Sequence, residues 1–285
     1  MTQASTLIAG LLLVLLLGLA ACEESAPPAR APHAPARAEV AAPPAPVPEA
    51  VTDTALIAFL ANALGEEPRD IRLDGWWKIT AGFPAQTQTV VPVEQRICAD
   101  SGAAPGIREV ALCTRYAGAE AEDPGSVSLW RIGPDASDTG ARGLAYLDRI
   151  DSGTDGKPGE VERIAIGPAR HAFLVHSPGR EAGRIATART ALYAAQGDTF
   201  VALLEVDALW SNLGGCDAGT PGDCVARTCT LKTGREVDPD GFHALVLHVV
   251  REGDTGSTLQ IPIPRVNGAY RLSEDALGEI ACGAP

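Results

Sequence analysis

Residues Phe200–Trp210 read FVALLEVDALW. Taken two at a time, Ala202, Leu204, Val206, Ala208 and Trp210 form one wholly apolar face. Val201, Leu203, Glu205, Asp207 and Leu209 form the other, which carries two carboxylates. Period-two alternation is the mark of a strand half-buried in a sheet, because successive side chains point to opposite faces. The same grammar extends outward, with short alternating runs separated by Gly, Asp, Pro and Asn turns. It predicts further strands at Ile71–Ala81, Val90–Ala99, Ile107–Tyr116, Ser126–Ile132, Ala172–His176, Ala188–Ala195, His243–Arg251 and Leu259–Val266.

One segment breaks the pattern. Leu56, Phe59, Leu60, Ala63 and Leu64 recur at helical spacing, with Asp53 placed to cap the start and Gly65 to follow the end. The expected fold class is therefore α+β and mostly β: an N-terminal helix followed by antiparallel sheet, stapled by disulfides. Composition changes at Gly133–Gly143, where two subdomains could meet.

The chain has 285 residues and seven cysteines. Cys98 and Cys113 lie symmetrically about Pro105-Gly106, as cross-strand partners in a hairpin would. Their Cα atoms would then be about 4.5–5.5 Å apart, within disulfide range. Cys216, Cys224 and Cys229 crowd into a Gly/Asp/Thr-rich stretch read as a loop. Pairing Cys216 with Cys224 and Cys229 with Cys282 would staple the C-terminal part onto the body, although other pairings of the same residues are open. Pro262 and Pro264 lack N–H groups on the same side of one strand, which demands an edge position. An Asn267-Gly268 turn would bring Ala269–Leu272 to that deficient side, with little ladder beyond it.

Sites for chemistry are sparse. Glu205 and Asp207 project about 7 Å apart, as a hydrolase carboxylate pair would, yet the same residues suit the solvated face of a half-buried strand. His171 and His176, like His243 and His248, are five apart, so a strand sends the two imidazoles of each pair to opposite faces. Asp151, Asp155, Gly156 and Glu162 fit the first, fifth, sixth and twelfth positions of a calcium loop. Gly153 at the third position offers no side-chain ligand, and an Asp/Gly turn explains the stretch equally. Trp76-Trp77 could stack on a sugar, but adjacent strand residues face opposite ways. No nucleophile elbow, P-loop or dinucleotide fingerprint occurs, and no cofactor is called for.

The formal net charge is −13 and lysine occurs only at positions 78, 157 and 232. That balance argues against nucleic acid, whose phosphates recruit Lys and Arg. Within residues 51–285, 21 basic side chains face 32 acidic ones, so the acidity belongs to the body.

Leu7–Ala21 is an apolar run of 15 residues. It is shorter than the roughly 20 residues needed to span a bilayer. Met1–Thr6 carries no Lys or Arg, and the run ends in Leu19-Ala20-Ala21-Cys22. This ending resembles the lipobox of bacterial lipoproteins. The resemblance implies a signal peptide over 1–21, cleavage before Cys22, and lipidation of Cys22 with palmitate-type chains. Two or more acyl chains are needed, since one gives only marginal attachment. Residues 23–50 hold eight prolines and ten alanines, a composition for an extended polyproline spacer.

These features lead to an envelope lipoprotein tethered to the bilayer through Cys22, facing an oxidising periplasm. Its 51–285 body is expected to bind a protein or ligand partner without catalysis of its own. Two alternatives are an inhibitor or immunity protein against a basic cell-wall hydrolase, and an envelope hydrolase using Glu205 and Asp207.

Overall fold

The computed structural model describes residues 49–79, 92–103, 105–136, 140–182, 185–213, 224–252 and 257–273. Helix α1 spans Asp53–Leu64. Its N-cap is Thr52, one residue before the expected Asp53: the Thr52 Oγ1 accepts from the Ala55 N–H at 3.2 Å. Such a cap stabilises a helix by about 1 kcal/mol. Gly65 closes the helix at φ 70°, where a side chain would be strained. The helix buries Leu56, Leu60 and Ala61, while Ala63 is exposed.

A short 3-10 turn, Pro68–Asp70, leads into the strands. These are β1 (Trp77–Ile79), β2 (Val93–Asp100), β3 (Arg108–Tyr116), β4 (Gly125–Pro134) and β5 (Ala141–Ser152). There follow β6 (Glu160–Gly167), β7 (Arg170–Ala182), β8 (Ile185–Gln196) and β9 (Thr199–Ser211). The chain then forms β10 (Ala226–Val237), β11 (His243–Glu252), β12 (Ser257–Ile263), β13 (Arg265–Val266) and β14 (Ala269–Tyr270). The first 12 build one sheet that is antiparallel except for a single parallel β5–β9 pairing at Tyr146 and Thr199.

The sheet branches at β9. One of its edges pairs with β8 along most of its length, while the other meets β10 over Leu209–Ser211. The described residues belong to one compact unit, Pro46–Pro285. Within it Gly133 and Pro134 of β4 pair with Arg142 and Ala141 of β5 inside the common sheet.

Three apolar layers hold the unit together. Val110 and Leu112 of β3 and Trp130 and Ile132 of β4 face α1. Their neighbours Ala111, Cys113, Val127 and Leu129 face the other way, against Phe173, Val175 and Phe200 of β7 and β9. The next layer sets Ala172, Leu174 and Leu192 against Leu245, Leu247, Val249, Ile261 and Ile263 of β11 and β12. Thus β3, β4 and β7 are apolar on both faces, and the alternation of Cβ direction assigns each residue to its layer.

The Cys98–Cys113 disulfide forms, with Cα atoms 5.7 Å apart. Cys98 is not directly opposite its partner: it is the extra residue of a β-bulge, where Ile97 pairs with Leu112 and Ala99 with Ala111. Cys224 and Cys229 are also disulfide-bonded, and Cys229 sits on β10 instead of in a loop. The expected partners Cys216 and Cys282 lie outside the described residues. So do Cys22, the expected signal peptide over 1–21 and all but the last two residues of the expected 23–50 spacer. No helix among the described residues is long and apolar enough to cross a membrane.

β12 is the sheet edge, as Pro262 requires, pairing only with β11. Asn267 and Gly268 turn the chain at φ 52° and 83° into β14, which pairs with β13 for only two residues.

Candidate functional site

A second bulge decides where the sequence-predicted carboxylates fall. Leu192 pairs with Leu204 and Tyr193 with Ala202, so Leu203 has no residue opposite it. The bulge lets Leu203, Leu204 and Val206 enter the same core. Glu205 is therefore on the face away from that core instead of sharing one with Val201 and Leu203, because an extra residue reverses the parity of what precedes it. Glu205 is exposed and meets Arg189 at 2.8 Å. It borders a cavity of about 380 Å³ that Asp207 does not line.

The other candidates disperse. Asp151 on β5 bonds Arg149 at 2.5 Å, Asp155 stands in a left-handed turn at φ 54°, and Glu162 is exposed on β6. No three His, Cys, Asp or Glu side chains among the described residues are grouped to hold a metal ion. Trp77 is buried beneath α1, whereas Trp76 carries the guanidiniums of Arg115 and Arg96 over its ring, 4.3 and 4.8 Å from the centroid. Trp76 is thus already engaged by two cations, and Trp77 is core. His176 bonds the Thr190 hydroxyl at 2.9 Å. The His243 carbonyl accepts from Tyr270, whose phenol burial pushes up to about 12. His248 lies half-buried on β11.

A larger cavity, about 1110 Å³, lies elsewhere. It opens at one end of the layer between β3–β4 and β7. Along β3 the inward series runs Cys113, Ala111, Glu109; along β4 it runs Val127, Leu129, Arg131; along β7 it runs Val175, Phe173, His171. In each strand the face that is apolar core becomes ionisable at the same end. Glu109 and Arg131 are directly paired residues of β3 and β4, and β6 contributes Arg163.

The geometry there is unequal. Glu109 is only 13% exposed, and its Oε2 accepts from Arg163 Nε at 3.2 Å. Its Oε1 stands 3.9 Å from Arg131 Nε, beyond hydrogen-bond reach. That Nε is buried with no hydrogen-bond partner among the described residues, although an unmet buried donor costs stability. One carboxylate thus faces two guanidiniums. Burial and the nearby Arg163 lower the His171 pKa, opposed by Glu109.

A second cationic pair borders the cleft. Phe242, in the β10–β11 turn, lies under Arg265 at 3.6 Å and Arg170 at 4.5 Å from its centroid. Cation–π contacts of this kind hold guanidiniums without neutralising them. Arg265 also bonds Asp240 at 2.9 Å and Asp238 at 3.2 Å. The Phe242 N–H first, and Arg265 with it, hold the Asp238 carboxyl below its usual range. Four arginines and two carboxylates line the cleft, the reverse of the chain's overall balance.

Sequence reasoning found only His171 of this set. The signal was present in the period-two series, where Glu109 and Arg131 follow apolar residues on faces that should remain core. No family model, curated protein or solved structure matches the chain.

Proposed function

We propose that the chain is a lipid-anchored lipoprotein of the bacterial envelope whose periplasm-facing body binds a ligand in the arginine-lined cleft, without catalysis of its own. The single observation that carries the binding role is the conversion of three core-facing strand series to Glu109, Arg131 and His171 at one end of a cavity of about 1110 Å³. Ionisable groups directed inward are costly unless something satisfies them, and a concave site with a few convergent polar groups is where ligands bind. The Leu19-Ala20-Ala21-Cys22 ending supports the anchor, and the Pro/Ala-rich 23–50 spacer supports a body held away from the bilayer.

Two measurements test this reading. Mass spectrometry of the mature protein should find a diacylated or triacylated Cys22 at the N-terminus; an unmodified chain beginning at Met1 refutes the anchor. Native mass spectrometry of the full chain, extracted in mild detergent, should find a small-molecule adduct that Arg131→Gln and Arg163→Gln remove. Identical ligand-free spectra for the parent chain and both variants refute the cleft.

A further inference from the structure

Resting on that reading of the cleft as a ligand site, we infer that its ligand is a phosphate ester with an apolar body. Four guanidiniums line the cleft against Glu109 and Asp240, and Asp238 behind Arg265 adds a third carboxylate, which leaves an excess of one positive charge. A phosphomonoester carries about −1.5 to −2 at neutral pH and three acceptor oxygens. It is attracted by that excess, and guanidinium forks suit its three oxygens geometrically. Two of the arginines have capacity to spare. Arg131 Nε is buried without a hydrogen-bond partner among the described residues, 3.9 Å from Glu109 Oε1. Arg170 is exposed, rests on the Phe242 ring at 4.5 Å, and makes no ion pair among the described residues.

The apolar part follows from size and lining. A cavity of about 1110 Å³ far exceeds what one phosphate group fills, and Ile107, Ile166 and Leu203 provide its apolar wall. Ile107 is 40% exposed, a large aliphatic side chain left for a ligand to cover. The ester could be a soluble organic phosphate or the headgroup of a lipid phosphomonoester; both present the same anion.

The test is calorimetric titration of the full chain in non-ionic detergent with hexyl phosphate, short-chain phosphatidic acid and hexanoate. Hexyl phosphate should bind at least about tenfold tighter than hexanoate, as expected when a dianion meets several charge-assisted donors. Arg170→Ala, at an exposed position, should weaken it about tenfold. Glu109→Gln should tighten it severalfold, because the internal carboxylate that competes for Arg131 and Arg163 loses its charge. Phosphatidic acid binding tighter than hexyl phosphate assigns the site to a lipid headgroup; equal affinities assign it to a soluble ester. Hexanoate binding as tightly as hexyl phosphate, with both weakened by Arg170→Ala, overturns the phosphate assignment and leaves the cleft as an anion site. Absence of binding by all three probes overturns both.

Discussion

Arg163 Nη2 on β6 lies 3.2 Å from Glu109 Oε2 on β3, joining strands 54 residues apart in the chain. The pair sits where the apolar layer ends, with side-chain exposures of 24% and 13%. At that depth the contact is part of the structure as well as of the cleft. Glu109→Ala should cost about 2–3 kcal/mol, since it leaves Arg163 facing a partly desolvated void beside Arg131. The double variant Glu109→Ala/Arg163→Ala should cost less than the sum of the singles, with a coupling of about 1 kcal/mol. Urea unfolding of all four proteins checks this, and strict additivity would show that the pair is not coupled.

Arg108, next to Glu109 at the start of β3, serves the opposite face of that strand, toward the α1 layer. Its side chain is 3% exposed and bonds Asp100 at 2.9 Å, Asp53 at 2.8 Å and the Val51 carbonyl at 3.2 Å. The Asp100 hydrogen bond above all raises its pKa, so the guanidinium stays charged inside the protein. One residue thereby ties the start of α1 to the β2–β3 hairpin. Arg108→Ala should destabilise by about 3–5 kcal/mol, the usual result when one partner of a buried ion pair is removed. Asp53→Asn should cost under about 1 kcal/mol, because that carboxylate is 61% exposed. Equal losses in denaturant midpoint for the two variants would contradict this ranking.

What was legible in the sequence follows the strength of local pattern. Val127–Ile132 and Phe200–Val206 read as strands because they feed buried layers. β5 and β10 escaped notice for opposite reasons. β5 exposes half of ARGLAYLDRIDS and buries only three of its residues, so no apolar series announces it, and its start falls in the composition change at Gly133–Gly143. β10 hides Ala226, Cys229 and Leu231 among turn-forming residues and cysteines, which pointed to a loop. The cleft was illegible for a third reason: Glu109, Arg131 and Arg163 come from three separate strands, and only the register sets them together. Bulges at Cys98 and Leu203 obey no sequence period and shift the faces assigned by alternation.

The Cys98–Cys113 bridge closes a loop of sequence separation 15 in the β2–β3 hairpin. A loop of that length restricts the unfolded chain by an amount worth about 3 kcal/mol. Cys98→Ala/Cys113→Ala should therefore lower stability by roughly that amount, with Cys113 losing more of it through its own burial than Cys98. Because the bridge lies outside the cleft lining, hexyl phosphate affinity at a temperature where the variant is folded should be unchanged. A lost affinity in a folded double variant would mean that the hairpin positions Glu109.

His171 makes the cleft's stability depend on pH in a direction that its neighbours dictate. Burial is the main cause of its lowered pKa and Arg163 the second, while Glu109 opposes both. A histidine whose folded pKa lies below its unfolded value of about 6.5 binds protons more readily when unfolded. Its contribution is complete above about pH 6.5 and is lost as pH falls from there through the folded value. Comparing the parent chain with His171→Asn removes the background of every other titrating group. The stability difference, parent minus variant, should be constant from pH 7 to 8 and should fall steadily below about pH 6.5. In Glu109→Gln the carboxylate that favours the imidazolium is gone, so the His171 pKa measured by NMR should fall further. A rise in that pKa would mean that Arg163 does not set the field at His171.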